Sequence, residues 1–125
     1  MKRTRLLLVD DHALVRAGIR ALLENGEQVD VVGESGDGLH ALALMAELRP
    51  DVALIDLTMP GLNGFEVLKT LSSQGAKCAI VLMSGSDDRL ARAEIMANQL
   101  GLRLIGVLHK PFRLADLHGI LGAKP

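Results

Sequence analysis

The sequence is almost without aromatic residues: its 125 residues include two phenylalanines and neither tryptophan nor tyrosine. Sites for single-stranded nucleic acid rely on aromatic side chains as stacking platforms, so this composition argues against such a site. An excess of positive charge is also absent, because the formal net charge is −1 and no basic block occurs. We therefore expect no direct nucleic acid binding by this domain.

Cysteine and long apolar runs are scarce as well. The one cysteine, Cys78, lies in an apolar run and is predicted to be a buried core thiol, which leaves no disulfide within the chain and no cysteine-based zinc site. No apolar run approaches the length of a membrane span. The run behind the basic start Met1-Lys2-Arg3 ends at Asp10-Asp11, too early for a signal peptide, so we expect a cytoplasmic protein without membrane contact.

Aliphatic residues are plentiful, and short apolar runs alternate with segments whose apolar residues have helical spacing. The predicted strands, each followed by a predicted helix, lie at 6–9, 29–32, 52–55, 79–83 and 104–108. Turns and helix caps are predicted at Gly26, Gly33, Pro50, Pro60-Gly61, Asn63 and Ser86 or Asp87. The alternation predicts one α/β domain, residues 1–125, with a five-stranded parallel sheet and helices on both faces.

Four of the five predicted strands end in polar residues, which are Asp10 with Asp11, then Asp56, Ser84 and Lys110. Parallel strands bring these ends to one edge of the sheet, where α/β domains bind ligands. Three carboxylates there repel one another unless a cation joins them, and Mg²⁺ (or Mn²⁺) fits this oxygen-rich set. Asp56 is then placed to accept a phosphoryl group. The histidines lack metal-ligand spacing with one another and are expected to be solvated: His12, His40, His109 and His118.

In this order the chain resembles the receiver (CheY-like) domain of two-component response regulators. The matching segments are Leu8-Val9-Asp10-Asp11, Asp56-Leu57-Thr58-Met59-Pro60-Gly61, Ser84-Gly85 and Lys110-Pro111-Phe112. The resemblance implies a doubly wound, flavodoxin-like (βα)5 fold with strand order 2-1-3-4-5. The chemotaxis receiver is itself an example of this strand order. It also implies phosphorelay signalling by a phosphoacceptor that is not a turnover enzyme, with any output domain outside this chain.

The resemblance also implies the role of each site residue. Asp56 would accept a phosphoryl group from a sensor histidine kinase or phosphotransfer protein. Asp10, Asp11 and Asp56 would bind Mg²⁺ beside the backbone carbonyl of Thr58, and Thr58 would tune autodephosphorylation. Ser84 would be the switch hydroxyl that moves toward the phosphoryl group. Lys110 would pair with that group, and its bond to the following proline is expected to be cis.

Two features depart from the family pattern. Val107 stands where members usually have Tyr or Phe, three residues before the lysine, and the connection 101–106 is longer and more apolar than usual. Both lie near the face formed by the fourth helix, fifth strand and fifth helix, which the family uses for homodimers and partners. We hypothesise that this face is where the protein is unusual, and that coupling through Ser84 differs without the aromatic ring.

The output of the protein has two candidates. Residues 11–23 resemble receivers attached to helix-turn-helix regulators, whereas residues 100–112 resemble receivers attached to cyclic-di-GMP phosphodiesterase (EAL) domains. We therefore expect an output domain of either the helix-turn-helix or the EAL type outside these residues.

Three other functions compete with this interpretation. In haloacid-dehalogenase-type phosphatases the nucleophile precedes the acid pair and a second aspartate follows it, a position that Thr58 holds here. A flavin-binding module needs a Ser/Thr/Gly-rich phosphate loop where this chain has Asp10-Asp11-His12. The alternative that stays open is a phosphorylation-independent pseudo-receiver that acts as a protein-interaction module, and Val107 favours it.

Overall fold

A computed structural model describes residues 3–24, 28–59 and 63–122. Five strands alternate with five helices along them. The strands are β1 Thr4–Val9, β2 Val29–Ser35, β3 Val52–Asp56, β4 Ala79–Ser84 and β5 Leu104–His109. The helices are α1 Ala13–Glu24, α2 Gly38–Leu48, α3 Gly64–Ser73, α4 Asp87–Gln99 and α5 Leu114–Leu121.

The sheet has the order β2-β1-β3-β4-β5, and all four pairings are parallel. β3 is therefore the central strand, and all five of its residues are buried. This confirms the α/β fold class, the (βα)5 order and the flavodoxin-like topology. It also confirms that Asp56 ends the central strand, at the edge of the sheet where ligands bind in such folds.

Two hydrophobic clusters cover the two faces of the sheet. One contains the buried residues of α2, α3 and α4 together with inward residues of the strands, such as Leu7 and Ile55. The other contains the buried residues of α1 and α5 together with the alternate strand residues, such as Leu8 and Leu54. Because side chains alternate along a strand, strands covered on both faces are apolar throughout, as the sequence shows.

The second strand is longer than the sequence pattern predicts. The pattern predicts that the strand ends at Gly33, but β2 continues to Ser35 and pairs with β1 to its end. A Cβ on Gly33 would lie 2.7 Å from a Leu48 methyl carbon and 3.2 Å from one of Leu7. The lack of a side chain at Gly33 therefore allows α2 to pack closely on the sheet, and the glycine does not mark a turn. As a result β2 also ends in a polar group, the buried Ser35.

The helix caps follow the predictions where the structure describes them. Asn63 caps α3, and its side chain and that of Glu66 form a reciprocal capping box. The Ser86 hydroxyl, rather than Asp87, caps α4. The turns predicted at Gly26 and Pro60-Gly61 lie outside the described residues.

The apolar surface differs from the pattern at a few positions. In α1, Ile19 and Leu23 are buried, whereas the apolar Val15 and Leu22 are exposed.

Cys78 is half-buried at the edge of the first cluster rather than fully buried, and its burial raises the pKa of its thiol. Among the described residues, no helix combines the length and apolar character needed to span a membrane.

Candidate functional site

The polar strand ends meet at one edge of the sheet. Asp10 directly follows β1, Asp56 ends β3, and Ser84 ends β4, and each of these three residues is at most 1% exposed. Lys110 directly follows β5 and its side chain is 18% exposed. Burial of two carboxylates at neighbouring strand ends is costly unless cations compensate their charge.

Lys110 supplies one such cation. Its Nζ donates to Asp10 Oδ2 at 3.0 Å and to Asp56 Oδ2 at 3.2 Å. Burial alone would lower the pKa of Lys110, but the hydrogen bond to Asp10 and the charges of both carboxylates raise it above its usual value. The amine therefore stays charged between the two strands, where it can also meet an incoming anion.

The second oxygen of Asp56 is also held. Asp56 Oδ1 accepts a hydrogen bond from the backbone N–H of Thr58 at 3.0 Å. Burial raises the pKa of Asp56, and the charge of Asp10 adds to this; the Thr58 amide and Lys110 lower it, but the net direction is upward. The carboxylate is thus oriented through both oxygens but is electrostatically strained, as expected of a group that gains from binding a cation or forming a bond.

Asp11 has a carboxylate oxygen without a hydrogen-bond partner among the described residues. Its Oδ1 is the buried side-chain oxygen that accepts no hydrogen bond within the described part of the chain. Ligand atoms of Asp10, Asp11, His12 and Asp56 lie within 4.8 Å of one another. Several carboxylate oxygens around an unsatisfied one form a donor set suited to a hard divalent cation, so the residues present fit Mg²⁺.

His12 belongs to this cluster, which the sequence pattern does not predict. Its side chain is 60% exposed, in line with the expected solvation, yet Nδ1 lies 3.3 Å from Asp10 Oδ1 and 3.2 Å from Asp11 Oδ1. Nδ1 also lies 4.0 Å from Asp56 Oδ2. The position of His12 directly after the acid pair is the sequence signal that could have indicated this.

Ser84 and Lys110 are linked through their backbones. The Lys110 N–H donates to the Ser84 carbonyl at 2.8 Å, so the end of β4 carries the loop that bears the lysine. The Ser84 hydroxyl accepts from the Ser86 N–H at 3.1 Å. The Lys110-Pro111 peptide bond is cis, which confirms that prediction. Val107 pairs with Leu82 and is half-buried against the first core cluster.

Two arginines border the site without having been predicted. Arg89, in the first turn of α4, donates to the Thr58 hydroxyl at 2.9 Å, so the residue two positions after Asp56 is tied to α4. Arg16 of α1 donates to the Asp10 carbonyl and, at 2.9 Å, to Glu34. No local pattern pairs residues this distant in sequence, because the pairing arises only when the helices pack on the sheet.

Comparison with known proteins agrees with this geometry. The family described as response regulator receiver domain matches residues 6–121. A protein-glutamate methylesterase/protein-glutamine glutaminase of Myxococcus xanthus is 42% identical over 127 aligned positions, which cover 96% of this chain and 35% of that protein. The nitrate/nitrite response regulator NarP of Escherichia coli is 41% identical over 66% of this chain and 39% of its own. The chain thus spans between a third and two fifths of these relatives.

Solved receiver domains superpose on nearly the whole chain. The signal receiver domain of the response regulator NarL from Mycobacterium tuberculosis has a TM-score of 0.81 at 32% identity and covers 98% of this chain and 99% of its own. The isolated domain of RcsB from Salmonella enterica, determined with the phosphomimetic BeF3−, has a TM-score of 0.83 at 26% identity and covers 98% and 88%.

Proposed function

This chain belongs to the response regulator receiver domain family, which acts in phosphorelay signalling, and we propose that Asp56 is its phosphoacceptor. The observation that carries the proposal is the arrangement of Asp56 at the end of the central strand. Its carboxylate is buried, held by Lys110 on one oxygen and by the Thr58 amide on the other, beside an acid pair with an unsatisfied oxygen.

Asp10, Asp11 and Asp56, with the backbone carbonyl of Thr58, would hold Mg²⁺ (or Mn²⁺) in this function. When bound, the cation neutralises negative charge on the acceptor and on the phosphoryl oxygens, which otherwise repel each other. Asp11 is the residue best suited to begin this binding, since its Oδ1 accepts no hydrogen bond from the part of the chain that the structure describes.

The chain's own residues position the transfer. The donor is a phosphohistidine of a sensor histidine kinase or of a phosphotransfer protein. A bond forms between an Asp56 oxygen and phosphorus as the donor's N–P bond breaks, and the freed imidazole nitrogen keeps the electron pair and takes up a proton. Lys110 already contacts Asp56, so it can pair with a phosphoryl oxygen while it keeps its hydrogen bond to Asp10.

Ser84 and Thr58 would act after the transfer. The Ser84 hydroxyl holds a single loop amide, that of Ser86, and would exchange it for a phosphoryl oxygen, which would pull the β4–α4 loop inward. Thr58 is tied to Arg89 of α4, so it borders the acceptor and would influence how water reaches the phosphoryl group. The loop movement at Ser84 and the contact of Thr58 with Arg89 would carry the phosphorylation state to α4 and the neighbouring surface.

The partners follow from the family. A histidine kinase or phosphotransfer protein supplies the phosphoryl group, and a helix-turn-helix or an EAL-type output domain would receive the signal. Relatives that are transcriptional regulators, including LiaR of Bacillus subtilis at 39% identity, favour the helix-turn-helix output over the EAL type. A homodimer through α4, β5 and α5 is the proposed assembly on activation.

Intact mass spectrometry after incubation with acetyl phosphate tests the proposal. We expect one phosphoryl adduct on the wild-type protein with Mg²⁺, none with a chelator, and none on Asp56→Asn. Asp88→Asn, a change at an exposed residue of α4, is the matched control and should gain the adduct as the wild type does.

Absence of the adduct from well-folded wild-type protein, with acetyl phosphate and with a kinase, would overturn the proposal. It would favour the pseudo-receiver, in which the acid cluster binds a metal or a partner without phosphorylation. A Mg²⁺-dependent adduct that persists on Asp56→Asn would place the acceptor elsewhere.

A further inference from the structure

We infer that His12 supplies a nitrogen ligand to the divalent ion at the acid pair and makes this site prefer a first-row transition ion to Mg²⁺. The inference rests on the metal site of the proposed function and goes beyond it, because a nitrogen ligand favours a transition ion over Mg²⁺ more strongly than oxygen ligands alone do. The imidazole is the one nitrogen donor in the group of four residues whose ligand atoms converge at the end of β1 and β3.

The separation between His12 and Asp11 carries the inference. His12 Nδ1 lies 3.2 Å from Asp11 Oδ1, yet that buried oxygen accepts no hydrogen bond from any described residue. Two ligands that bind one ion at about 2.1 Å lie about 3 Å apart when they subtend a right angle at it. The two atoms are thus spaced as neighbouring ligands of one ion rather than as a hydrogen-bonded pair.

The other contacts of the cluster leave this pair available. Lys110 occupies the Oδ2 atoms of Asp10 and Asp56, and the Thr58 amide occupies Asp56 Oδ1. The backbone N–H of His12 donates to Asp10 Oδ1 at 2.8 Å, and this hydrogen bond fixes the backbone position from which the imidazole side chain extends. The ring itself is 60% exposed, so it can turn without disturbing the core.

The tautomer of His12 is compatible with coordination. Nδ1 lies 3.3 Å from Asp10 Oδ1, and whether it donates there depends on the tautomer of the ring. In the tautomer that carries its hydrogen on Nε2, the Nδ1 lone pair is free to bind an ion. Neutral imidazole binds Zn²⁺, Co²⁺ and Ni²⁺ well, whereas Mg²⁺ takes oxygen ligands and keeps much of its water.

Titration calorimetry with Zn²⁺ and with Mg²⁺ tests the preference without any phosphorylation. We expect His12→Ala to weaken Zn²⁺ binding by about tenfold or more, the size reported for losing a group that supports a metal ligand. Mg²⁺ binding should change by less than about twofold, since its ligands are oxygen atoms. His118→Ala is the matched control, because His118 is exposed on α5 and outside the cluster.

Electron spin-echo spectroscopy on bound Mn²⁺ gives a second readout. We expect nitrogen modulation in the wild type, and we expect it to vanish in His12→Ala and to persist in His118→Ala. Equal Zn²⁺ affinity for wild type and His12→Ala, with no nitrogen modulation, would overturn the inference while leaving the proposed Mg²⁺ site intact. Failure of wild type to bind either ion, or unchanged binding in Asp11→Asn, would instead overturn the metal site itself.

Discussion

At the scale of single residues, Asp56 is held in a state that costs stability until something binds. Burial and the charge of Asp10 raise its pKa above the usual value of 3.8, so the folded state binds a proton on Asp56 at higher pH than the unfolded chain does. The stability from this group is full below 3.8 and is lost as the pH rises through the raised value. At neutral pH the ionised carboxylate therefore destabilises the metal-free fold.

Asp56→Asn should for this reason stabilise the metal-free protein at pH 7, by about 1 kcal/mol, the ordinary size of a single-residue effect. We expect Lys110 to keep in the variant the hydrogen bond that it donates to Asp10 at 3.0 Å in the wild type. The advantage should shrink as the pH falls toward 4, because wild-type Asp56 then becomes protonated. Urea unfolding in a chelator across this pH range measures it.

The exposed Asp88→Asn serves as the matched control and should show neither the gain nor its pH dependence. Adding Mg²⁺ at about 100 times its dissociation constant should stabilise the wild type by about 2.7 kcal/mol and the Asp56→Asn variant by less. A variant less stable than wild type in chelator at pH 7 would contradict the account of Asp56.

The residues of the site differ in how far the sequence could predict them. Asp10, Asp56, Ser84 and Lys110 follow from one rule, because each ends a recognisable strand and parallel strands share an edge. His12 does not follow from that rule or from the spacing between histidines, and only its position directly after the acid pair could have indicated it. Contacts such as Arg89 with Thr58 join different elements and depend on how a helix lies across the sheet.

At the scale of elements, the packing of α5 on β5 depends on a glycine. A Cβ on Gly106 would lie 2.6 to 2.8 Å from three side-chain carbons of Ile120. Isoleucine is branched at Cβ and has few rotamers to retreat into. This glycine therefore sets the distance at which α5 lies over the strand that ends at Lys110.

Gly106→Ala should destabilise the fold by about 1 to 3 kcal/mol, the usual cost of overpacking a core. In an Ile120→Ala background the same change should cost much less, because all three crowded carbons are gone. A double-mutant cycle from urea unfolding measures the difference. Equal costs in the two backgrounds would show that the contact does not determine this packing.

The sequence predicts the elements well where residues are buried on both faces and less well where a glycine resembles a turn. The central strand around Leu54 is apolar throughout, which a parallel sheet requires. The pattern ends β2 too early, at Gly33, because a glycine that makes room for a neighbouring leucine looks the same in sequence as one that turns the chain. Only the packing of α2 distinguishes the two.

At the scale of the whole molecule, we hypothesise that the face of α4, β5 and α5 is where the chain departs from its family. Val107 is half-buried against the core cluster that includes Leu82, its partner across β4 and β5. A tyrosine at this position would carry an aromatic ring with a polar hydroxyl, which is too large for the space that the valine side chain fills. The ring would extend toward the proposed dimer surface.

Val107→Tyr should therefore change the self-association that follows activation. Light scattering with size exclusion, with and without Mg²⁺ and beryllium fluoride, measures the oligomeric state. Val15→Tyr, at an exposed site on α1, is the control and should behave as the wild type. If Val107→Tyr leaves both self-association and signalling unchanged, the idea that this face is unusual is wrong.

The topology as a whole could be predicted because alternating strands and helices allow few arrangements once crossovers are right-handed. The output domain could not be predicted, because the fold of a receiver domain does not depend on which output domain it is attached to. Residues 11–23 and residues 100–112 resemble receivers with different output domains, and surface residues of a receiver do not decide between the two.

The most direct test of the central claim is to locate the phosphoryl group. The protein is phosphorylated with acetyl phosphate and Mg²⁺ and then treated with sodium borohydride, which reduces an aspartyl phosphate to homoserine. Peptide mass spectrometry then identifies the changed position. We predict homoserine at position 56 alone, dependent on Mg²⁺. Homoserine at position 10 or 11, or a stable phosphoryl group on His12, would contradict the assignment of Asp56 as the acceptor.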